Sequence, residues 1–464
     1  MPTDSATLAE YSSWHLNFIS LLGIFVMLFI AWLVSSHRTK VNWRLVVSGI
    51  LLQLVLAALF FQSQNWTMGG AYPNGILFAA LDSVFKSIQE FVEAGSGFVF
   101  NANGIAEGNP TDPKVVLKTF AFGVLPTVIF FASLMAILYH IGIMQWLIRG
   151  MAWVMGKTLG TSGPESMAAA ANVLVGHTEA PLVVKPYVAG MTRSELNALM
   201  VGGFSTISGS LMAIFVNFGV SAGHLLTASI ISAPAALVIA KIMQPETEQT
   251  ADIEEVTEKM ERPASNVIEA AAIGASDGMK LAINIAAMLI AFLALLAMID
   301  AILRGSGEGI EWLMNQSRTA ENAIDIRWSL NGLLGSLFYP LAWVMGIRPE
   351  DCQVSGLLLG KKMAVNEFVA YLDLSAILNG QFTLPVNGEE QVVEISERTR
   401  VILTYALCGF SNFGAIGIQI GGIGPLAPER RSDLAQLGLR AMFGGMLACC
   451  ITACMAGLMF GLLS

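Results

Sequence analysis

The sequence has few charged residues and few side chains that bind transition metals. Only 13% of its 464 residues are charged, against about 25% in ordinary soluble domains. The cysteines are odd in number, lie in apolar segments and show no metal-ligand spacing with histidine; they are Cys352, Cys408, Cys449, Cys450 and Cys454. This pattern predicts no metal site built on cysteine, and we expect the cysteines to be small packing residues.

Basic residues are absent where a cleaved signal peptide would need them. The first 15 residues, MPTDSATLAEYSSWH, contain acids and no Lys or Arg ahead of the first apolar run, unlike a secretory signal peptide. We therefore expect the first hydrophobic segment to remain in the protein. The acids behind the net charge of −9 collect in loops such as residues 246–261 and 389–397. We interpret these loops as solvated surfaces, and no nucleic-acid partner is expected.

Apolar residues are abundant and lie in long runs. They make up 55% of the sequence, and the mean hydropathy is +0.64. A helix needs about 20 mostly apolar residues to cross the hydrocarbon core of a membrane. Eight segments meet this requirement: residues 17–35, 45–62, 119–140, 196–219, 223–243, 281–303, 399–421 and 439–462. The sequence therefore predicts an all-α polytopic membrane protein with eight transmembrane helices.

One further segment has two chemically different faces. Its apolar residues fall at helical spacing, at Leu77, Leu81, Phe85, Ile88 and Val92. Charged residues lie between them, at Asp82, Lys86, Glu90 and Glu93. This alternation predicts an amphipathic helix that lies at the membrane interface.

An internal repeat organises the central part of the chain. Ala152-Trp153-Val154-Met155-Gly156 recurs at residues 342–346, and Gly203-Phe204-Ser205 recurs at residues 409–411. A glutamate follows each copy of the longer motif at a similar distance, Glu179 in the first copy and Glu367 in the second. Because these features keep one order, we interpret them as two copies of one structural unit.

Each copy contains a segment rich in Gly, Ala or Pro that is too interrupted for an ordinary span. The first runs from Gly163 to Gly190, and the second from about Cys352 to Gly380. We expect both to be re-entrant hairpins, here called the first and second hairpin, each followed by a full helix. Three spans separate the copies, and this odd number inverts the second. Inverted repeats with broken helices are typical of secondary transporters, whose site lies near the midplane between the copies.

The glutamates of the two hairpins are candidates for function. A carboxylate at membrane depth costs about 2.5 to 3.5 kcal/mol on insertion scales, and such residues usually serve a function. The alternative is structural, in which each glutamate caps a turn or pairs with Lys185, Lys361 or Lys362. A membrane-embedded hydrolase is not supported, because no nucleophile elbow and no HExxH zinc pair occur. We therefore do not expect an enzyme.

Three extended blocks carry a resemblance to a known family. They are residues 176–187, which begin GHTEAPL, residues 366–371, NEFVAY, and residues 408–422, which include CGFSNF and IGIQIGG. In this order they closely resemble the concentrative nucleoside transporter family, and the resemblance covers roughly residues 17–464. It implies nucleoside import by symport with Na⁺ in the cell inner membrane. It also implies a homotrimer in which a transport domain moves against a scaffold as an elevator.

The resemblance also implies which residues bind the substrates. The base would lie at His177, Thr178, Glu179 and Leu211. The ribose would lie at Glu367 and Asn412, with Phe410 in the same pocket. Sodium would lie between the first hairpin and the next helix, at Asn172, Val175, Thr206 and Ile207. Amide, hydroxyl and carboxylate groups suit a nucleoside, and side-chain oxygens with carbonyls of broken helix turns suit Na⁺.

Two positions depart from the family pattern. His177 stands where the family usually has Gln, which changes the donors and acceptors that face the base. Ala415 stands where related members often have Ser near the ribose, so one sugar contact would be missing or passed to water. The purine or pyrimidine preference is left open by these changes.

Two alternatives share the same fold. One is a nucleoside symporter driven by protons, in which Glu179 or Glu367 carries the proton, and the other is a passive facilitator or channel. In each case the chain is expected to divide into five parts. These are a scaffold segment at 1–118, a first repeat at 119–243, a cytoplasmic loop and helix at 244–303, a second repeat at 304–430 and a C-terminal helix at 431–464.

Overall fold

The computed structural model describes residues 5–63, 76–100, 121–122, 125–177, 179–248, 264–315, 328–386 and 389–463. These parts of the chain are mainly helical. The helices of the first half are α1 Ser5–Leu33, α2 Trp43–Ser63, α3 Ile76–Phe100, α4 Leu125–His140, α5 Ile143–Leu159, α6 Gly163–Leu174, α7 Ala180–Val183, α8 Lys185–Val188, α9 Arg193–Ser205, α10 Gly209–Asn217 and α11 Ala222–Met243.

The second half contains further helices and one small sheet. The helices are α12 Val267–Asn315, α13 Leu330–Val344, α14 Cys352–Ala364, α15 Glu367–Leu378, α16 Glu397–Leu407, α17 Phe413–Ile423 and α18 Arg431–Leu463. The strands β1 Thr383–Val386 and β2 Glu389–Val392 pair antiparallel between α15 and α16.

Long apolar helices make the chain a multi-pass membrane protein. Among the described residues, six helical runs are long and apolar enough to cross a membrane: α1, α2, α9 with α10, α11, α12 and α18. The pair α4 and α5 passes the same test together but is bent by 75°. These runs coincide with seven of the eight predicted spans, and in the third the helix α4 begins at Leu125.

Two of the segments predicted as full helices are interrupted. Residues 196–219 divide into α9 and α10 around residues 206–208, and residues 399–421 divide into α16 and α17 around residues 408–412. Ser208 and Asn412 occupy the N-cap positions of α10 and α17. Ser and Asn favour caps over helix interiors because their side chains compete for backbone hydrogen bonds. The expectation of continuous helices is therefore wrong at both places.

The core forms around α18. This helix packs against α1, α9, α11 and α16, and its Cys449, Cys450 and Cys454 are buried. All five cysteines are free and buried. Their predicted role as small packing residues is confirmed.

Both segments predicted as re-entrant hairpins are divided into shorter helices. In the first, α6 ends at Leu174 with Val175 as its C-cap, and Gly176 follows with a φ of 90° that suits glycine. The short helices α7 and α8 come next. In the second, α14 and α15 pack against each other across Val365 and Asn366. Asn366 caps α15 by accepting a hydrogen bond from the N–H of Val369 at 3.0 Å.

The predicted amphipathic helix is α3. Phe85, Ile88 and Val92 are buried, whereas Lys86 and Glu90 are exposed. The side chains of Leu77 and Asp82 lie outside the described ones. The two faces of this helix therefore differ in burial as their spacing predicts.

Candidate functional site

The two interrupted helices meet at the recurring Gly-Phe-Ser motifs. A Cβ atom on Gly409 would lie 2.8 Å from the carbonyl oxygen of Phe204 and 2.9 Å from the carbonyl carbon of Ser205. Cβ atoms essentially never come this close to backbone, so only glycine permits this approach. The two copies of the repeat therefore touch each other at the points where their helices break.

A carboxylate and an amide meet beside this contact. Asn412 donates from Nδ2 to Oε2 of Glu367 at 3.0 Å, and its Oδ1 accepts the N–H of Ala415 at 2.8 Å. Glu367 is the first residue of α15, where the helix dipole favours a negative charge. Both side chains are buried, at 4% and 3% exposure. The pair predicted to hold a ribose is thus brought together.

The lysines of the second hairpin are engaged with other groups. Lys361 pairs with Asp373 at 2.6 Å, and Lys362 donates to the carbonyl oxygen of Ala406 at 2.8 Å. In the part of the chain that the structure describes, no direct ion pair joins Glu367 to Lys361 or Lys362, so this form of the structural alternative is not supported. The observed hydrogen-bond partner of Glu367 is the amide of Asn412.

An aromatic pair lies next to the meeting point. The rings of His177 and Phe410 have their centroids 4.1 Å apart. A Cβ atom on Gly203 would lie 2.8 Å from Cβ of His177 and 2.5 Å from Nε2 of Gln419. This glycine therefore admits the imidazole and the amide side by side. Within the described residues, Nε2 of His177 and Oε1 of Gln419 have no hydrogen-bond partner.

Sequence reasoning did not include Gln419 among the site residues. Its side chain is buried at 1% exposure and donates from Nε2 to the carbonyl oxygen of Met200 at 3.2 Å. The sequence does single out Gln419, because it is the one polar side chain in the apolar run IGIQIGG. A polar side chain that is buried needs a hydrogen-bond partner, so such a residue is a candidate for a binding site.

The predicted sodium ligands lie where α6 and α9 end. Asn172 is buried, donates from Nδ2 to the carbonyl oxygen of Ala168 at 3.0 Å, and has no described partner for Oδ1. Its amide packs on α9, because a Cβ atom on Gly202 would lie 3.1 Å from Asn172 Nδ2. The remaining three predicted ligands, Val175, Thr206 and Ile207, are also buried.

These ligands combine a free amide oxygen with backbone that has left the helix. Thr206 is the C-cap of α9 and is extended, and its hydroxyl donates to the carbonyl oxygen of Gly202 at 3.0 Å. Val175 is the C-cap of α6, directly before the turn at Gly176. Oxygen atoms of this kind are the ligands that hard cations prefer. The residues present therefore fit a small cation such as Na⁺.

Glu179 lines a cavity of about 260 Å³ that the end of α6 shares with α4, α10 and α12. Val175, one of the predicted sodium ligands, lines the same cavity, as do Asp277, Ser208 and Ser210. Leu211 is buried in α10, next to Ser210. The cavity lining does not include Glu367 or Asn412, so the structure does not bring all predicted base and ribose residues into one contact. Thr178 lies outside the described residues.

Ala415, one of the two positions that depart from the family pattern, is buried at the start of α17. Ala415 has 1% exposure, and its N–H is taken by Asn412. The neighbouring Ser411 is fully buried, and its hydroxyl has no hydrogen-bond partner in the described part of the chain. A hydroxyl without a described partner therefore lies one residue before Asn412, the partner of Glu367.

Family models match most of the chain. Residues 22–103 and 224–457 match the models described as Na⁺ dependent nucleoside transporter N-terminus and C-terminus, and residues 121–222 match one described as nucleoside recognition. The chain is 42% identical over 444 residues to an uncharacterized transporter of Haemophilus influenzae, covering 96% of this chain and 98% of that protein.

Animal relatives are longer. The chain is 39% identical over 448 residues to sodium/nucleoside cotransporter 1 of Homo sapiens, covering 95% of this chain and 64% of the human protein. It is also 39% identical to solute carrier family 28 member 3 of Eptatretus stoutii, and spans 60% of the length of that protein. These relatives are solute carriers and cotransporters rather than enzymes, which agrees with the expectation for this chain.

Solved structures of CNTnw have the same fold. Its inward-facing substrate-bound state matches with a TM-score of 0.80 at 38% identity, covering 96% of this chain and 98% of that one. A variant in an outward-facing state matches with a TM-score of 0.82 at 38% identity, covering 97% and 100%. With these matches along nearly its whole length, the chain belongs to the Na⁺-dependent, concentrative nucleoside transporter family.

Proposed function

We propose that this chain imports nucleosides by symport with Na⁺. The observation that carries the proposal is a group of buried polar atoms near the contact between the interrupted helices, each without a described hydrogen-bond partner. They are Asn172 Oδ1, His177 Nε2, Ser411 Oγ and Gln419 Oε1. Leaving such an atom unsatisfied costs about 1 to 3 kcal/mol. A polar ligand that supplies their partners therefore gives a physical reason for keeping them.

The nucleoside would be held by its base at the first hairpin and by its ribose at the second. His177, Thr178, Glu179 and Leu211 are the residues proposed for the base, and Glu367, Asn412, Phe410 and Ala415 for the ribose side. The contact between Asn412 and Glu367 supports the ribose assignment, because an amide and a carboxylate suit vicinal hydroxyls. The name of the human sodium/nucleoside cotransporter supports a nucleoside as the substrate.

Sodium would be the second substrate and would bind at the ends of α6 and α9. Asn172 would offer Oδ1, Thr206 its hydroxyl, and Val175 and Ile207 their carbonyl groups. The unpaired Oδ1 of Asn172 supports this assignment. The description of the matching family models as Na⁺ dependent supports the choice of ion.

Transport would follow alternating access in the inner membrane. We infer an inverted repeat that binds substrate between its copies and a homotrimer in which a transport domain moves as an elevator. The contact between Gly409 and Phe204 supports a site between the copies. The inward-facing and outward-facing structures of CNTnw support alternation between two states.

Uptake into proteoliposomes tests the proposed function. Radiolabelled uridine and adenosine would be supplied at fixed pH, with an inward Na⁺ gradient or with choline in its place. We expect accumulation above the outside concentration with Na⁺ only. Accumulation driven by a proton gradient alone would instead identify the proton-coupled alternative. Equilibration without accumulation under either gradient would identify a passive facilitator.

The sodium ligands are tested by removing one oxygen at a time. Asn172→Ala and Thr206→Val are expected to raise the half-saturating Na⁺ concentration several-fold, with uptake partly recovered at high Na⁺, because each removes a hard ligand. Thr227→Val is a matched control, since the Thr227 hydroxyl is also buried and donates to a carbonyl four residues earlier, that of Gly223. An unchanged Na⁺ dependence in both site variants would exclude this site.

A further inference from the structure

A buried charged cluster lies at the other ends of the two helices that carry the proposed sodium ligands. It joins the N-termini of α6 and α9 to the C-terminal end of α11. We call it the helix-start cluster, and its members are Ser162, Glu165, Thr192, Ser194, Glu195, Lys241 and Glu246. All but Glu246 are buried.

Both helices begin with the same kind of cap. At α6 the N–H of Ser162 donates to Oε1 of Glu165 at 2.8 Å. At α9 the N–H of Thr192 donates to Oε2 of Glu195 at 2.9 Å, and the N–H of Glu195 donates to the Thr192 hydroxyl at 3.1 Å. The caps are also bonded to each other, because the Ser162 hydroxyl donates to Oε1 of Glu195 at 2.5 Å. The starts of the two helices are thereby joined.

Lys241 extends this connection to a third helix and to the following loop. Its ammonium lies 2.6 Å from Oε2 of Glu165, 2.9 Å from the Ser194 hydroxyl and 3.2 Å from Oε2 of Glu246. The Thr192 hydroxyl also donates to Glu246 at 2.9 Å. One cation thus contacts α6, α9 and the segment after α11. The positive ends of the α6 and α9 dipoles also stabilise the carboxylates of the cluster, in addition to Lys241.

The helices α6 and α9 connect the helix-start cluster to the proposed sodium ligands. At 1.5 Å per residue, Asn172 lies about 15 Å along α6 from Ser162, and Thr206 lies about 21 Å along α9 from Thr192. At those far ends the Asn172 amide packs on Gly202. A change in the relative position of the two helix starts would therefore change the separation of Asn172 and Thr206.

We propose that Lys241 is a positioning residue for sodium binding. It holds α6 and α9 in the register at which their oxygen atoms converge, without touching the ion. This inference rests on the proposed function, because it assumes that Na⁺ binds at Asn172 and Thr206. Nothing in the resemblance to the family assigned a role to Lys241, Glu165 or Glu195.

A set of charge variants tests the proposal through Na⁺-dependent nucleoside binding to the purified protein. Lys241→Met should raise the half-saturating Na⁺ concentration by about fivefold, with nucleoside affinity at saturating Na⁺ changed less than about twofold. Lys241→Arg should stay near wild type. The double variant Lys241→Met with Glu165→Gln should have a half-saturating Na⁺ concentration closer to that of wild type than Lys241→Met alone, because the Glu165 carboxylate is no longer buried without its cation. Lys86→Met, on the exposed face of α3, is the control.

Hydrogen exchange supplies a reading that needs no ion. In Na⁺-free buffer, Lys241→Met should speed amide exchange in peptides covering residues 163–177 and 193–207, and Lys241→Arg should not. Ser194→Ala is a milder variant that removes one partner of Lys241, and it serves as the test if Lys241→Met does not fold. It should raise both the half-saturating Na⁺ concentration and the rate of amide exchange, by less than Lys241→Met does. Unchanged half-saturating Na⁺ and unchanged exchange in these variants would overturn the proposal. A wild type without any Na⁺ response would refute the proposed function, while exchange still decides whether Lys241 holds the helices.

Discussion

Replacing Glu367 with Gln is expected to weaken binding of every nucleoside, whatever its base. The Glu367 carboxylate is buried and accepts the amide of Asn412 at 3.0 Å, so it is positioned to accept hydrogen bonds from ribose hydroxyls as well. Loss of a charge-assisted hydrogen bond costs about 1.5 to 3 kcal/mol, which is roughly ten- to over a hundredfold in affinity. Competition binding of uridine, cytidine and adenosine to the purified protein measures this loss.

The same variant should reduce the preference for ribose. An analogue without ribose hydroxyls never gained the charge-assisted bond, so its affinity should fall much less than that of uridine. Asp373→Asn is the matched control, because Asp373 is the other carboxylate of the second hairpin and pairs with Lys361 instead. If Glu367→Gln reordered the bases and left the ribose preference intact, the assignment of this hairpin to the sugar would be wrong.

Glu179 provides the comparison between the two hairpins. Glu179→Gln is expected to alter the ranking of uridine, cytidine and adenosine and to leave discrimination between ribose and deoxyribose nearly intact. Glu179 lines a cavity of about 260 Å³ with Asp277, and neither Glu367 nor Asn412 lines that cavity. The different surroundings of the two glutamates agree with separate roles.

The sequence predicted these polar groups better than the backbone around them. Glu367 could be chosen because a carboxylate is unusual at membrane depth, and the family resemblance added Asn412 as its partner at the ribose. The break between α16 and α17 could not be read from hydropathy, since residues 399–421 are apolar enough for one span. It depends on a local cap, in which Asn412 accepts the N–H of Ala415, and on the packing of Gly409 against Phe204, which lies in a distant part of the chain.

The repeated pentapeptide illustrates the same limit. In the first copy, residues 152–156 lie inside α5. In the second copy α13 ends at Val344, and Gly346 takes a φ of 86°. The difference comes from tertiary contacts, because the Arg398 side chain donates to the carbonyl oxygen of Gly346 at 3.0 Å. Five identical residues therefore do not fix one local conformation.

Two adjacent glycines of α9 should separate the nucleoside site from the sodium site. A Cβ atom on Gly203 would lie 2.8 Å from Cβ of His177 and 2.5 Å from Nε2 of Gln419, whereas one on Gly202 would lie 3.1 Å from Nδ2 of Asn172. In Gly203→Ala the His177 side chain must shift, which disturbs its contact with Phe410 at 4.1 Å between ring centroids. Overpacking of this kind costs about 1 to 3 kcal/mol, so nucleoside affinity should fall roughly ten- to a hundredfold even at saturating Na⁺.

Gly202→Ala is the matched variant, since it adds the same methyl group one residue earlier in the same helix. The Asn172 amide must give way by a few tenths of an ångström, so the half-saturating Na⁺ concentration should rise while nucleoside affinity at saturating Na⁺ stays near wild type. Both variants should keep similar thermal stability, because Ala favours helix over Gly by about 1 kcal/mol, which offsets part of the crowding. Titrations of Na⁺ at fixed uridine, and of uridine at saturating Na⁺, distinguish the two effects. If both variants shifted the same parameter equally, the two ligands would not occupy separate sites on the two sides of these glycines, and the assignment of His177 to the base and Asn172 to the ion would fail together.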